Sequence, residues 1–344
     1  IKKKATYQGV GWDLTTDWNI LETESYPYKS WQTVPPIILN GASSGSTTIT
    51  GKCADNGTVY IEIGSKTFTA TISGNSWSAT VDPLQAGTEI KVYAKEASKI
   101  RSYSTIAYVE YIGSGTEADP YQVCTVEDLA GMNGNYYYKL MNDLDLTSWI
   151  SKNNPTNGWI PLGRNASVAA HFDGNNHTIS GLWTNTTEDY TGLFGNASNA
   201  TIENLKVTVA DGKSVKGGAY TAILLGKGTS VTITNCSVNG NVIGGNNSAS
   251  LIGEITSGKI QKASTIGSVT GTTNVGGIAG KSNADISECQ SVSLVKTTST
   301  DAYAGGIVGY STATISESVS KGSVTAEKAG TYAGGIAGYI ESGS

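Results

Sequence analysis

Three copies of one short pattern decide the fold of this chain: Gly276-Gly-Ile-Ala-Gly280, Gly305-Gly-Ile-Val-Gly309 and Gly334-Gly-Ile-Ala-Gly338. Looser copies precede them, at Thr191–Gly195, Ala222–Gly226 and Leu251–Gly253. The six copies close on glycines that are 31, 27, 27, 29 and 29 residues apart, namely Gly195, Gly226, Gly253, Gly280, Gly309 and Gly338. A repeat of this length indicates stacked units, each in contact chiefly with its neighbours.

Isoleucines recur in step with the glycines. One follows each of the first five glycines after six or seven residues, at Ile202, Ile233, Ile260, Ile286 and Ile315. Three residues further on lie Leu205, Cys236, Ala263, Cys289 and Ser318. Each unit holds two or three short strand-like runs and no helical pattern, which excludes leucine-rich, ankyrin and tetratricopeptide repeats. One unit therefore predicts one coil of a β-helix, with coils stacked about 4.8 Å apart.

The stacking places equivalent residues in columns. We expect the isoleucines to line the interior, and the glycines to mark corners where the chain turns or a neighbouring coil comes close. The parallel β-helix should extend over residues 114–344, and its winding should be right-handed. Its first coils are less regular, and a capping-box pattern at Thr125-Val-Glu-Asp128 predicts a short helix, to about Met132, that covers the open end.

Residues 33–113 have a different pattern. Strand-like runs lie at Thr47–Lys52, Val59–Ile63, Thr67–Ile72, Ser76–Val81, Glu89–Ala94 and Ile106–Tyr111. Turn signals separate them, which predicts a β-sandwich with Trp77 in its core. Residues 1–32 are too aromatic for a disordered tail and too short to fold alone, so we interpret them as the closing segment of a preceding repeat module.

Composition limits the classes of partner. The net charge is −5 and the charges are scattered, so no basic face indicates nucleic acid. No apolar run is long enough to span a membrane, and Ile1-Lys-Lys-Lys4 does not begin a signal peptide. For the four cysteines, at 53, 124, 236 and 289, we favour buried free thiols over disulfides, which leaves the compartment open.

These motifs resemble those of a known family. The Gly-Gly-Ile-Ala-Gly units are similar to GLUG repeats of bacterial surface proteins, and Phe172-Asp-Gly-Asn-Asn-His-Thr-Ile179 resembles the lead-in to such repeats. Ser76-Trp-Ser-Ala-Thr-Val81 is similar to bacterial immunoglobulin-like modules. The resemblance implies an all-β chain, an immunoglobulin-like β-sandwich followed by the β-helix. It also implies an adhesin-like protein at the outer membrane or outside a Gram-negative bacterium. Because the sequence stops soon after Gly338 without a closing cap, we expect a longer parent protein.

Metal-dependent catalysis is one candidate function, because some GLUG-bearing proteins are immunoglobulin A-cleaving metallopeptidases. Zinc chemistry of that kind needs two histidines on one helical face with a glutamate between them. The only histidines are His171 and His177, in a turn-like segment with Asp173, and no His-Glu-x-x-His occurs. We therefore expect surface histidines and no metal. At Asn142–Asp145 we expect turn hydrogen bonds, with calcium as the alternative.

Polysaccharide cleavage is another candidate function, because many β-helices are lyases or hydrolases, which need clustered carboxylates. Residues 190–344 contain no arginine, and only Asp285 and Glu288 lie close together within one coil. We interpret that pair as a solvated edge, so we predict no catalytic residue, no cofactor and no enzyme activity.

Aromatic residues give the remaining candidate for a ligand site. Trp149 and Trp159, with Tyr136–Tyr138, are candidates for stacking on sugar rings, and core packing is the alternative. The sequence thus favours a non-enzymatic surface adhesin or interaction protein whose partner is an unidentified host or bacterial surface protein or glycan. The alternatives are a carbohydrate-binding module and a carbohydrate-active β-helix enzyme.

Overall fold

The computed structural model describes residues 42–53, 57–95, 101–102 and 104–341, together with the backbone of 18–19, 28–29 and 37–39. The chain divides into two units, Ile1–Tyr111 and Ile112–Ser344. The boundaries predicted at 32/33 and 113/114 stay predictions. The predicted closing segment 1–32 lies outside the described residues, apart from the backbone of two short paired strands.

The first unit is built from short antiparallel strands. Its described strands are β1 (Trp18–Asn19), β2 (Tyr28–Lys29), β3 (Ile37–Leu39), β4 (Thr48–Lys52), β5 (Thr58–Ile63), β6 (Lys66–Thr69), β7 (Thr71–Ser73), β8 (Ser76–Thr80), β9 (Glu89–Lys95) and β10 (Thr105–Tyr108). One sheet has the order β10-β9-β5-β6 and another the order β3-β4-β8-β7. The predicted run Thr67–Ile72 is two strands, because the chain crosses between the sheets at Ala70.

The two sheets of this unit share one hydrophobic core. Side chains alternate along β9, so that Ile90, Val92 and Ala94 are buried, and Trp77 of β8 is buried in the same cluster. The Trp77 indole Nε1 donates a hydrogen bond of 3.2 Å to the Lys52 carbonyl oxygen, which satisfies its polar atom. This arrangement agrees with the predicted β-sandwich; its immunoglobulin-like topology stays a prediction.

The second unit contains two helices and many strands. The helices are α1 (Val126–Ala130) and α2 (Thr147–Asn153). The described strands are β11 (Tyr121–Val123), β12 (Tyr137–Leu140), β13 (Leu144–Asp145), β14 (His171–Asp173), β15 (Thr178–Leu182), β16 (Thr184–Asn185), β17 (Phe194–Glu203), β18 (Lys206–Val209), β19 (Val215–Lys216), β20 (Leu225–Thr234), β21 (Ser237–Ile243), β22 (Ser248–Ala249), β23 (Ile252–Ile255), β24 (Gly258–Gln261), β25 (Ser264–Gly271), β26 (Asn274–Gly276), β27 (Ala279–Ser282), β28 (Asp285–Ser287), β29 (Gln290–Thr297), β30 (Tyr303–Gly305), β31 (Val308–Ser311), β32 (Ile315–Ser316), β33 (Val319–Ser320), β34 (Val324–Ala326), β35 (Tyr332–Gly334) and β36 (Ala337–Ile340).

These strands form three parallel sheets. The first sheet follows the order β11-β12-β14-β17-β20-β23-β27-β31-β36, and the second follows β13-β15-β18-β21-β25-β29-β33. The third consists of β22-β26-β30-β35. Strands that lie about one repeat apart in sequence are therefore neighbours in space, and the chain winds through about six turns of a parallel β-helix, as predicted. The right-handed sense of winding stays a prediction.

The isoleucine column lies inside the coils. Register pairs Ile202 with Ile233 in β20, and the series continues through Ile260, Ile286 and Ile315. The first four side chains are buried. Ile315 departs from the expectation and is half-buried, because in the described residues β32 pairs with β28 alone. In the adjacent column the first four members, Leu205, Cys236, Ala263 and Cys289, are buried and Ser318 is half-buried.

The glycine column allows successive coils to approach closely. A Cβ atom on Gly253 would lie 2.5 Å from the carbonyl oxygen of Gly226, and one on Gly280 would lie 2.6 Å from that of Gly253. Real Cβ atoms essentially never come so near, and the contacting atom is backbone, which cannot move aside. None of the six column glycines has a positive φ. Close approach, not a turn, is therefore the reason for glycine in this column.

The corner between the first and second sheets is turned by other residues. One residue per coil adopts the left-handed conformation there, with φ between 49° and 55°: Asn204, Asn235, Lys262, Glu288 and Glu317. Asparagine tolerates this region better than most residues. The Asn235 amide also donates a 2.9 Å hydrogen bond to the Asn204 side-chain oxygen, which links two coils.

The two helices lie among the first coils. The capping box predicted for α1 is present, since Thr125 Oγ1 accepts from the Asp128 amide and the Asp128 carboxylate accepts from the Thr125 amide. The helix spans Val126–Ala130. The sequence had not predicted α2, which buries Ile150.

Replacing Ile286 by Asp should unfold the β-helix, because it buries a carboxylate that has no partner in the interior column. We expect a loss of about 3–5 kcal/mol in the free energy of unfolding, measured by urea denaturation. Ile266→Asp is the matched control, since that side chain is 53% exposed on β25. Equal stability of the two variants would contradict the interior column.

Candidate functional site

Two neighbouring columns of side chains lie on the outside of the coils. The first column contains Tyr190, Tyr220, Asn247, Asn274, Tyr303 and Tyr332. The second contains Lys227, Glu254, Lys281, Tyr310 and Tyr339. Because parallel strands pair in register, residues at equivalent repeat positions line up along the rod. We call these eleven residues the tyrosine face.

Tyrosine rings stack from coil to coil along this face. The centroids of Tyr190 and Tyr220 are 5.1 Å apart, with ring planes only 4° from parallel. Tyr303 stacks on Tyr332 at 5.5 Å, and Tyr310 stacks on Tyr339 at 5.3 Å. These last four rings form one cluster, the tyrosine cluster, because Tyr303 also lies 5.1 Å from Tyr339.

The tyrosine cluster includes the last described coil, in which Ile336 is also more exposed than its buried equivalents Ile278 and Ile307. Tyr332 is 59% exposed and Tyr339 is 40% exposed, whereas Tyr303 and Tyr310 are half-buried beneath them. The Tyr310 hydroxyl donates a 2.7 Å hydrogen bond to the Glu341 carboxylate, which raises the pKa of Tyr310 to about 12. This phenol therefore keeps its proton at any physiological pH.

Charged and amide groups occupy the middle of the face. The Lys227 ammonium lies 4.8 Å from the centre of the Tyr220 ring and 3.6 Å from the Glu254 carboxylate. The Asn247 amide donates to the other Glu254 oxygen at 2.6 Å and accepts from the Asn274 amide at 2.6 Å. These groups pair with one another. The exposed tyrosine rings are therefore the groups of this face that are most available to a partner.

A separate groove crosses the outside of the first sheet near its beginning. It encloses 530 Å³ and is lined by Tyr137, Lys139, His171, Asp173 and Glu203, among others. The Tyr137 and His171 rings stack at 4.3 Å, and the Lys139 ammonium lies 3.5 Å from the Asp173 carboxylate. The groove thus combines one aromatic pair with paired charges.

The two histidines have different partners. His171 Nδ1 lies 2.9 Å from Thr201 Oγ1, and His177 Nδ1 lies 3.1 Å from the Asp143 carboxylate. Asp173 accepts from the Asn175 amide at 2.8 Å. In the part of the chain that the structure describes, no group of three histidines, cysteines or carboxylates is arranged to hold a metal ion.

The remaining acidic candidates make structural hydrogen bonds. Asp143 accepts from the Thr178 amide at 2.8 Å, and this bond, followed by that with His177, lowers the pKa of Asp143. Asp145 accepts from the Thr147 amide and hydroxyl at the start of α2, and these bonds lower the pKa of Asp145. The Asp145 bonds are the local capping or turn bonds expected at Asn142–Asp145, whereas Asp143 instead bonds to residues of the next coil.

The predicted edge pair Asp285 and Glu288 is also occupied. Asp285 accepts from the Thr314 amide at 3.1 Å, and Glu288 accepts from the Gln261 amide at 2.6 Å. Both are exposed, as the sequence indicated.

The two candidate tryptophans do not form an exposed platform. Trp159 is only 2% exposed, and its Nε1 donates to the Leu193 carbonyl oxygen at 3.0 Å. Trp149 is half-buried, with its ring centroid 5.1 Å from that of Trp159. Trp159 is therefore a core residue, which corrects its proposed role in stacking on a ligand. Irregular first coils need large side chains to fill the space that regular columns fill later.

All four cysteines are free thiols. Burial raises the pKa of Cys236 to about 12 and also raises the pKa of Cys289, and both side chains lie in the interior column beside the isoleucines. Cys124 is only half-buried.

We predict that iodoacetamide near neutral pH leaves Cys236 and Cys289 unmodified in the folded protein, because the thiolate is the reactive form. Cys124 should react first. Peptide mass spectrometry measures the modification, and the same reaction in concentrated urea is the control that labels all four. Rapid labelling of Cys236 in the folded protein would contradict its interior position.

The tyrosine face was not predicted, although the sequence contains a signal for it. Tyr303 and Tyr332 each precede Ala-Gly-Gly-Ile, and Tyr310 and Tyr339 each follow a closing glycine directly. Tyrosines at equivalent repeat positions predict a surface ladder once the register is known.

Comparisons with known proteins agree with the fold and show no family. No protein-family model matches the chain. A candidate Gly-rich membrane protein of Evansella cellulosilytica is 35% identical over 134 residues, which are 37% of this chain and 15% of that protein. Halomucin of Haloquadratum walsbyi is 29% identical over 165 residues, 42% of this chain and 2% of halomucin. The chain therefore spans only a small part of the length of either relative.

A solved structure shares the β-helical architecture. The crystal structure of a candidate immunoglobulin A1 protease from Bacteroides ovatus superposes with a TM-score of 0.55 and 21% identity. The match covers 65% of this chain and 73% of that one. Among the described residues, no helix has the length and apolar character needed to cross a membrane.

Proposed function

We propose that this chain is a non-enzymatic segment of a bacterial cell-surface or secreted protein, an adhesin or interaction protein that binds its partner through the tyrosine face. The tyrosine cluster carries the proposal. Four contacts with centroid distances of 5.1–5.8 Å connect its four aromatic rings, and Tyr332 and Tyr339, in the last described coil, are 59% and 40% exposed. Tyrosine is enriched at the energetic centres of protein interfaces, because it offers a large contact area with little rotamer entropy to lose.

The β-helix supplies a rigid support for such a surface. Each coil pairs its backbone with the coils above and below, so the positions of surface side chains are fixed by register. A right-handed winding, GLUG-type repeats and an immunoglobulin-like first unit belong to this proposal. The similarity to a Gly-rich membrane protein supports a location at the cell surface. We propose that the chain lies at the outer membrane of a Gram-negative bacterium or outside it.

Ring orientation favours a protein partner over a sugar. Sugars stack on exposed aromatic faces, but rings that stack on the next coil turn those faces toward each other. The pairs Tyr310–Tyr339 and Tyr303–Tyr332 lie 17° and 22° from parallel, so their edges and hydroxyls are what the surface offers. Hydroxyl groups at the edge of an apolar patch suit hydrogen bonding to a protein backbone.

Carbohydrate binding is the second candidate, and the 530 Å³ groove beside Tyr137 and His171 favours it. Its volume suits a small saccharide, and its lining mixes aromatic and charged groups. We propose no enzyme activity for this groove: Asp173 is already bonded to the Asn175 amide and to Asn204, and its Lys139 neighbour is paired with it.

Replacing Tyr332 and Tyr339 together by Ala should weaken binding to immobilised host mucin at least about tenfold, because it removes the exposed half of the cluster. Surface plasmon resonance measures the affinity. Tyr108→Ala is the matched control, since Tyr108 is also 59% exposed but lies in the first unit.

The outcomes separate the candidates. Binding that survives periodate oxidation of the mucin glycans supports a protein partner, whereas its loss supports the groove and a glycan. Unchanged affinity in the double variant would contradict the tyrosine face.

A further inference from the structure

A second cavity lies near the first coils, and its lining includes no residue of the tyrosine face. It encloses 490 Å³, and its lining includes Arg164, Lys216, Glu188, Asn157 and Asn185. Arg164 is one of only two arginines in the chain, and the other, Arg101, lies over the Tyr93 ring in the first unit. The cavity therefore collects two cations and one carboxylate in a protein whose net charge is −5.

The Arg164 backbone is held in place, and the side chain is incompletely satisfied. Its Nε is buried and has no hydrogen-bond partner. Its backbone is fixed from both sides: the amide donates to the Pro161 carbonyl oxygen at 3.3 Å, and a Cβ on Gly195 would lie only 3.0 Å from its Cα. A buried guanidinium donor without an acceptor is costly, because it has lost water and gained nothing in return.

The other lining groups are also positioned by the fold. The Lys216 carbonyl oxygen accepts from Thr184 Oγ1 at 2.9 Å and from the Thr186 amide at 3.2 Å, so this strand end is anchored while the ammonium stays exposed. The Asn185 amide donates to the Asn157 carbonyl oxygen at 2.8 Å, which fixes one wall of the cavity. Asn157, Asn185 and Lys216, whose side chains carry hydrogen-bond donors, therefore line the same space.

We propose that this cavity binds the carboxylate of an acidic sugar, with Arg164 and Lys216 as the cations that receive it. A planar guanidinium matches a carboxylate with two parallel hydrogen bonds. The volume exceeds what a simple anion needs and lies in the range of ligand pockets, and the amides of Asn157 and Asn185 suit sugar hydroxyls. Glu188, the one carboxylate in the lining, interacts electrostatically with Arg164. Two cations and one carboxylate leave the lining with a net positive charge, which favours a further negative group.

This proposal depends on the proposed function in one respect, the source of the ligand. The acidic sugar would belong to a glycan on the surface that the protein binds. A failure of this proposal can be distinguished from a failure of the tyrosine face. Binding at the cavity is measured with a small sugar in solution, in a protein that keeps the Tyr332 and Tyr339 side chains. Continued mucin binding in an Arg164 variant would leave the proposed function intact.

The test is isothermal titration calorimetry of the whole chain with methyl glucuronide, with its methyl ester as the uncharged match. We expect the acid to bind and the ester to bind at least about tenfold more weakly. Arg164→Gln should weaken binding of the acid at least about tenfold, and Lys216→Gln should weaken this binding less. Lys213→Gln is the control, since Lys213 lies over the Trp183 ring, outside this lining.

The Glu188→Gln variant is the decisive test, because the proposal predicts the direction in which its affinity changes. Removing the Glu188 carboxylate should strengthen binding of the acid, a gain that misfolding cannot produce. Weaker or unchanged binding in this variant would overturn the proposal, as would equal affinity for acid and ester. Sodium sulfate that binds as tightly as the sugar acid would show a simple anion site and would also overturn it.

Discussion

The close approach of successive coils at the glycine column is the constraint on which the rest of the structure depends. A side chain at these positions would meet the carbonyl oxygen of the coil before it, as Gly253 would meet Gly226 at 2.5 Å. The parallel strands that carry these glycines pair in register. Register then determines which side chains form the interior column and which form the surface columns.

The inside and the outside of the coils therefore follow from one arrangement. Inside, Ile233 lies between Ile202 and Ile260, and the stack excludes water from a continuous apolar column. Outside, the same register brings Tyr303 against Tyr332 and Lys227 against Glu254. Binding surfaces on stacked coils are columns of similar side chains, because any residue repeated once per coil recurs along the axis.

Much of this architecture could be predicted from the sequence, because recurrence is visible without coordinates. The parallel β-helix, the interior isoleucines and the capping box at Thr125 all follow from spacing and residue type. Helix α2 and the left-handed corners at Lys262 and Glu288 did not, because lysine and glutamate give no local signal for that conformation. The irregular first coils hid the role of Trp159, whose burial depends on tertiary packing rather than on any repeat. The cavity at Arg164 could not be predicted from the sequence for the same reason, since its lining comes from segments that have no repeat in common.

The role of the glycine column is most directly tested by comparing the melting temperatures of Gly253→Ala and Gly335→Ala. A Cβ on Gly335 would meet nothing within 4 Å. We expect Gly253→Ala to lower the Tm by roughly several degrees, through overpacking, and Gly335→Ala to leave it within about one degree. Equal melting temperatures for the two variants would contradict the account.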